Sequence, residues 1–167
     1  LKGGSLARLP EPVTHVFEEA GEPSLPSWGL RFSASLDNVI TVLSGMSDLA
    51  QTKENIAIMK DFKPLDANEK AVIVKAQEEL VKIPNIPCTS CKYCIKDCPQ
   101  EINIPAALNA LNLFLVYSDL YRAKETYNWN VSHHPASSCI QCGVCEGVCP
   151  QSIPIIAELE RAAELLE

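Results

Sequence analysis

The chain has 167 residues, a net charge of −7 and an isoelectric point near 5.0. Its Lys and Arg residues form no stripe to neutralise phosphates, so nucleic acid binding is not expected. No apolar run approaches the roughly eighteen residues that a membrane span needs, and no basic leader precedes a short apolar core, so neither a membrane anchor nor a secretory signal is expected.

The opening stretch, Leu1 to Pro10, contains Gly3 and Gly4 and reads as irregular. Pro12 to Ala20 reads as a short helix stopped by Gly21, with Pro23 just beyond. Pro26 to Leu36 reads as another, with proline tolerated in its first turn. Val39 to Leu43 is a short β-branched run that fits a buried strand. Asp48 with Gln51, and Asp66 with Glu69, have the capping-box spacing and open two further helices. The second of these keeps Val72, Ala76, Leu80 and Ile83 on one apolar face.

Pro84 to Pro87 breaks the helical pattern and divides the chain into 1–83 and 84–167. Beyond the break, Pro105 to Tyr127 reads as one long or two shorter helices, and Pro154 to Leu166 as an amphipathic helix. The only repeat visible in the sequence is a cysteine motif.

All eight cysteines fall in two groups. The first holds Cys88, Cys91, Cys94 and Cys98, followed by Pro99. The second holds Cys139, Cys142, Cys145 and Cys149, followed by Pro150. Each is a C-x2-C-x2-C-x3-C-P run, the pattern of bacterial two-cluster ferredoxins. Three thiolates two residues apart on a curled loop reach three corners of one 4Fe–4S cubane, whereas the fourth lies too far round. That pattern assigns Cys88, Cys91, Cys94 and Cys149 to cluster I, and Cys139, Cys142, Cys145 and Cys98 to cluster II. Gly143 and Gly147 would relax the backbone for N–H···S bonds, and Ile95, Ile140, Val144 and Val148 would exclude water. Structural zinc prefers cysteine pairs a dozen or more residues apart, and a disulfide framework suits small secreted chains, so both are weaker readings. Thiolates poised for metal imply a reducing, cytoplasmic setting.

The forty residues between the cysteine groups read as helix. This resembles the α-helical ferredoxin domains of succinate dehydrogenase and heterodisulfide reductase iron–sulfur subunits. The expected fold is therefore mainly α.

The first half carries a second resemblance. The segment from Val42 to Asn55 looks like the last strand and helix of an aldo-keto reductase barrel. Trp28 to Leu36 is similar to the preceding helix, and Leu1 to Ala7 to the loop leaving the seventh strand. Together with the ferredoxin part, the chain resembles the C-terminal portion of iron–sulfur aldo-keto reductases, the end of a TIM-type barrel followed by a two-cluster domain. The resemblance implies that Gly45, Ser47, Gln51, Glu54 and Asn55 grip the adenosine end of NAD(P) in a complete barrel. A helix N-terminus after a strand favours phosphate. The family's catalytic Asp, Tyr, Lys and His belong to the first half of the barrel, which this sequence does not contain, and a barrel closes only when all eight strands pair. The resemblance thus implies an oxidoreductase as part of a longer chain, with no hydride transfer by this fragment and no catalytic residue in it.

The expected function is electron transfer through two 4Fe–4S clusters, to or from a redox partner protein or a barrel of the same chain. A free-standing electron carrier and a structural iron–sulfur module are the alternatives. His133 and His134 read as surface loop, and Trp28, Trp129, Tyr117, Tyr121 and Tyr127 as core. Tyr93 reads as packing within the first motif. Glu158, Glu160, Glu164 and Glu167 read as a solvated helix face.

Overall fold

A computed structural model describes residues 2–21 and 24–167; Leu1 and Pro23, to which the sequence reading assigned a loop and a helix stop, lie outside them. The architecture is mainly α, and among the described residues there is no β-strand. The chain forms two compact units, Leu1–Ile83 and Pro84–Glu167.

The first unit opens with a 3-10 turn, Lys2–Ala7, followed by α1 (Glu11–Glu19), α2 (Leu25–Ala34), α3 (Leu49–Lys60) and α4 (Ala67–Val81). Val13, Val16 and Phe17 of α1, Trp28 of α2, and Ala76 of α4 form its core together with Leu65. The Phe17 and Trp28 rings lie 5.1 Å apart at a 49° tilt, within the centroid range of interacting aromatic pairs. Asp66 and Glu69 make a complete capping box on α4, and Glu69 also binds Arg31 at 2.7 and 2.8 Å, tying α2 to α4.

Two local expectations are corrected here. Asp48 caps α3 by accepting from the Gln51 N–H, but the Gln51 carboxamide accepts from the Ser47 N–H rather than closing the box on Asp48. Val39 to Leu43 is irregular rather than a strand, with Ile40 98% and Leu43 88% exposed. A strand needs a neighbour to take its N–H and C=O groups, and no described residue offers a ladder here.

The second unit contains α5 (Tyr93–Lys96), α6 (Ile104–Tyr117), α7 (Leu120–Val131), α8 (Val144–Gly147) and α9 (Ile155–Leu166), with a 3-10 turn at Ala136–Ser138. The region read as one or two helices is two. Ser118 adopts a left-handed φ of 53° and Asp119 caps α7 through the Arg122 N–H, so α6 and α7 form a tight helical hairpin. Ala107, Leu108, Ala110 and Leu111 of α6 meet Ala123 and Tyr127 of α7 and Leu159, Ala162 and Leu166 of α9 in one core. Trp129 and Tyr121, expected in the core, are instead 88% and 75% exposed. They lie on the face of α7 opposite Ala123, Tyr127 and Val131, which take the buried stripe.

Candidate iron–sulfur centres

The two cysteine motifs fold identically, position for position. In each, the first cysteine is half-buried, the second exposed, the third buried and the fourth half-buried. The third cysteine sits on a one-turn helix, Cys94 on α5 and Cys145 on α8. Left-handed residues recur at matching places: Ser90, Lys92 and Glu101 in the first half, Gln141, Gly143 and Ser152 in the second. Side chains rarely accept that conformation, so its repetition in non-glycine residues marks a backbone constrained by a site. Such alternation of right- and left-handed turns forms concavities of N–H groups suited to anionic clusters. The Gln141 N–H already lies 3.4 Å from Cys139 Sγ. Gly143 needs its freedom at φ 76°; Gly147 does not, because it belongs to α8.

The repeat is longer than the motif seen in the sequence. After each Cys-Pro comes Gln, then two isoleucines one residue apart, Ile102 and Ile104 or Ile153 and Ile155, all four buried. These lead into α6 and α9, so each motif delivers its own helix to the shared core.

Two small cavities of about 20 Å³ each result. One is lined by Cys88, Cys91, Cys94 and Cys149, with Leu108 and Ile155. The other is lined by Cys139, Cys142, Cys145 and Cys98, with Ile104 and Leu159. Each therefore meets three thiols of one motif and the last thiol of the other. All eight cysteines are free rather than bridged, and among the described residues no three His, Cys, Asp or Glu side chains converge on a point that would hold a single ion. Thiols spread around a hollow suit a multinuclear cluster better than a lone tetrahedral metal.

Burial pushes the Cys94 thiol up to about 11, and the Cys145 thiol is raised for the same first reason. A bound metal would supply the positive charge that makes these two sulfurs thiolates. Ile140 and Val144 line the second cavity, but Ile140, Val144 and Val148 are all substantially exposed, so water exclusion falls mainly to the isoleucines and leucines beneath.

The loops entering the motifs are pinned by Asn112, which the sequence reading did not single out, and by Tyr127 and Glu167, whose anchoring role it did not foresee. The Asn112 carboxamide of α6 accepts from the Ile86 N–H at 2.8 Å and donates to the Ile86 carbonyl at 2.9 Å. Ahead of the second motif, the Tyr127 hydroxyl accepts from the Ala136 N–H and Glu167 accepts from the Ser137 N–H. Of the acidic residues read as a solvated face, Glu167 is thus a loop anchor. Glu160 accepts from Gln141 at 2.7 Å, and Glu158 is only 20% exposed, beside Arg161. Their helix packs across the loop that the spacing of acids alone does not reveal. His133 is exposed, as is His134, which faces Glu101 at 3.7 Å.

Of the five residues expected to grip a nucleotide, Gly45, Ser47, Gln51 and Glu54 are exposed and Asn55 is half-buried. Their polar groups are engaged locally: Gln51 with Ser47, Asn55 with Ser44, and Glu54 with Ser24.

Fold and site together define a metal-binding domain with two equivalent four-thiol centres. Residues 87–153, most of the second unit, match the 4Fe-4S dicluster domain family. The acetyl-CoA decarbonylase/synthase complex subunits alpha 1 of Methanosarcina barkeri and Methanosarcina acetivorans are each 31% identical to the chain over 77 residues. That stretch is 46% of this chain and 8% of each relative, so the chain spans under a tenth of the curated relatives it matches. No solved structure matches the chain. Among the described residues no helix is long and apolar enough to cross a membrane.

Proposed function

We propose that this chain transfers electrons through two 4Fe–4S clusters held by exchanged cysteines. Cys88, Cys91, Cys94 and Cys149 hold one cluster, and Cys139, Cys142, Cys145 and Cys98 hold the other. The observation that carries this reading is the lining of the two cavities, each joining three thiols of one motif to the fourth of its counterpart. When bound, the clusters supply one-electron redox chemistry at potentials tuned by charge, hydrogen bonds and exposure. The chain's own residues fix the thiols, aim N–H groups at the sulfurs, and keep the inner wall apolar.

The wider setting we propose is the ferredoxin-like part of an oxidoreductase of the aldo-keto reductase family, on the strength of the Val42 to Asn55 pattern. In a complete barrel, Gly45, Ser47, Gln51, Glu54 and Asn55 would bind NAD(P), with Gln51 and Asn55 exchanging their present serine partners for the nucleotide. The similarity to subunits of a named complex favours a second setting, in which the domain serves a partner protein within a larger assembly.

Iron and acid-labile sulfide analysis of anaerobically prepared protein tests the core of the reading. About eight irons per chain are expected from two cubanes, with paramagnetic signals on reduction. Stoichiometric zinc, or thiols without sulfide, would refute it. For the wider setting, a longer reading frame carrying the Asp, Tyr, Lys and His set upstream is expected, and aldehyde turnover with NADPH by this chain alone would contradict it.

A further inference from the structure

The two halves of the iron–sulfur domain serve as each other's control. Backbone, burial and cavity size repeat, so the few side chains that break the repeat stand out. Two of the charged ones stand at or beside a cavity. Lys92 lines the cavity of Cys88, Cys91, Cys94 and Cys149, where the equivalent residue of the other half is Gly143. Glu146 belongs to α8 beside the other cavity, and its carboxylate accepts from the Ile156 N–H at 2.9 Å. Ile156 itself lines that cavity, and the equivalent of Glu146 in the first half is Ile95. The remaining charges of the first motif, Lys96 and Asp97, are exposed, opposite in sign and outside the cavity lining. Glu160, held by Gln141, adds a second carboxylate on the Glu146 side.

We infer that Lys92 and Glu146 set the two centres at different reduction potentials, the centre of Cys88, Cys91, Cys94 and Cys149 being the one reduced first. The inference rests on the proposal that both cavities hold clusters. Reduction adds one negative charge to a cluster and removes one electron from the donor. A nearby ammonium stabilises that added charge and a nearby carboxylate opposes it, so both residues push the two potentials in opposite directions with the same net ordering. Lys92 is exposed and salt screens it; Glu146 is half-buried and screened less. A one-electron donor thus fills the Lys92 centre, and the Glu146 centre accepts only from a stronger reductant. The Glu146 centre becomes the transit point and the Lys92 centre the resting point of the pair. Both residues act through the clusters without ligating them, so they are positioning residues for charge.

The test is a redox titration followed by paramagnetic resonance on the reconstituted whole chain, its K92Q variant and its E146Q variant. Glutamine at 146 keeps an acceptor for the Ile156 N–H, so the fold of α8 and α9 is retained. The parent should show two separated reduction steps. K92Q should lower the upper step alone, by up to about tenfold in the reduction equilibrium (about 59 mV for one electron), and the shift should shrink in about 1 M salt. E146Q should raise the lower step alone. Coincident steps in the parent, a variant that moves the opposite step, or steps that do not move at all would overturn the ordering. Iron content separates the two levels of the argument. About eight irons with misplaced shifts sinks the ordering only, whereas protein that takes up no iron and sulfide sinks the two-cluster proposal beneath it.

Discussion

The Tyr127 hydroxyl bridges two elements, donating to the Glu167 carboxylate and accepting from the Ala136 N–H at 2.6 Å. Tyr127 is 1% exposed, and burial, reinforced by the carboxylate, raises its pKa. Glu167 moves the other way: burial opposes its ionisation, but hydrogen bonds from Ser137 and Tyr127 outweigh that and lower its pKa. One phenol thereby fastens α7, α9 and the loop entering the second cysteine motif. Tyr127→Phe leaves the buried Ala136 N–H without its acceptor, at a cost of about 1–3 kcal/mol. A lower melting temperature with faster iron loss from the second centre is expected in Tyr127→Phe; unchanged iron retention would count against the anchoring role.

Asn112 does the same work ahead of the first motif through both polar atoms of its carboxamide. Asn112→Leu strands the N–H and carbonyl of Ile86, which is 6% exposed, again at a cost of about 1–3 kcal/mol or more. Chelator challenge should release iron first from the centre of Cys88, Cys91, Cys94 and Cys149. Equal release from both centres would show that the loop holds without Asn112.

The proposed exchange of fourth ligands makes a crossed prediction. Cys98→Ala should spare the centre served by Cys88, Cys91 and Cys94, and damage the one served by Cys139, Cys142 and Cys145. Cys149→Ala should do the reverse. Iron is expected to fall from about eight toward about four per chain in either variant. Resonance spectra of the two variants should differ in which signal survives; damage to the centre within the same motif would sink the exchange.

Removing iron exposes the cost of burying Cys94. Its folded thiol sits at about 11 against a reference of 9.0, so the cluster-free domain keeps this contribution below pH 9 and loses it as pH rises from about 9 to about 11. Denaturant midpoints of chelator-treated protein should decline across that window. Cys94→Ala should flatten the decline, and an unaltered decline would assign it to other groups.

Glu69 should contribute to the acid sensitivity of the first unit. Its hydrogen bond to Arg31 leads the causes that lower its pKa below 4.5. A depressed carboxylate stabilises the fold above its unfolded pKa and ceases to do so as pH falls through the folded value. Unfolding followed by Trp28 fluorescence, in a Trp129→Phe background, should therefore lose stability below about pH 4.5. Glu69→Gln should be less stable at neutral pH and less sensitive to acid; parallel pH profiles would exclude this ion pair as the cause.

Local chemistry was written in the chain itself. Cysteine spacing places three thiols on one curled loop, Asp66 and Glu69 cap α4, and the prolines from Pro84 to Pro87 stop helical patterning because that ring removes a donor and crowds the preceding turn. Those features depend only on neighbours a few residues away. Tertiary structure decided what needs distant partners. The wall that brings Cys98 to Cys139 and Cys149 to Cys88 is built by isoleucines leading into α6 and α9. Glu146 acquires meaning only because α9 presents the Ile156 N–H to it, and Tyr127 goes inside while Trp129 stays out because one stripe of α7 faces Ala162 and Leu166. Val39 to Leu43 has the residues of a strand, yet a strand's hydrogen bonds belong to its neighbour, and composition alone does not provide one.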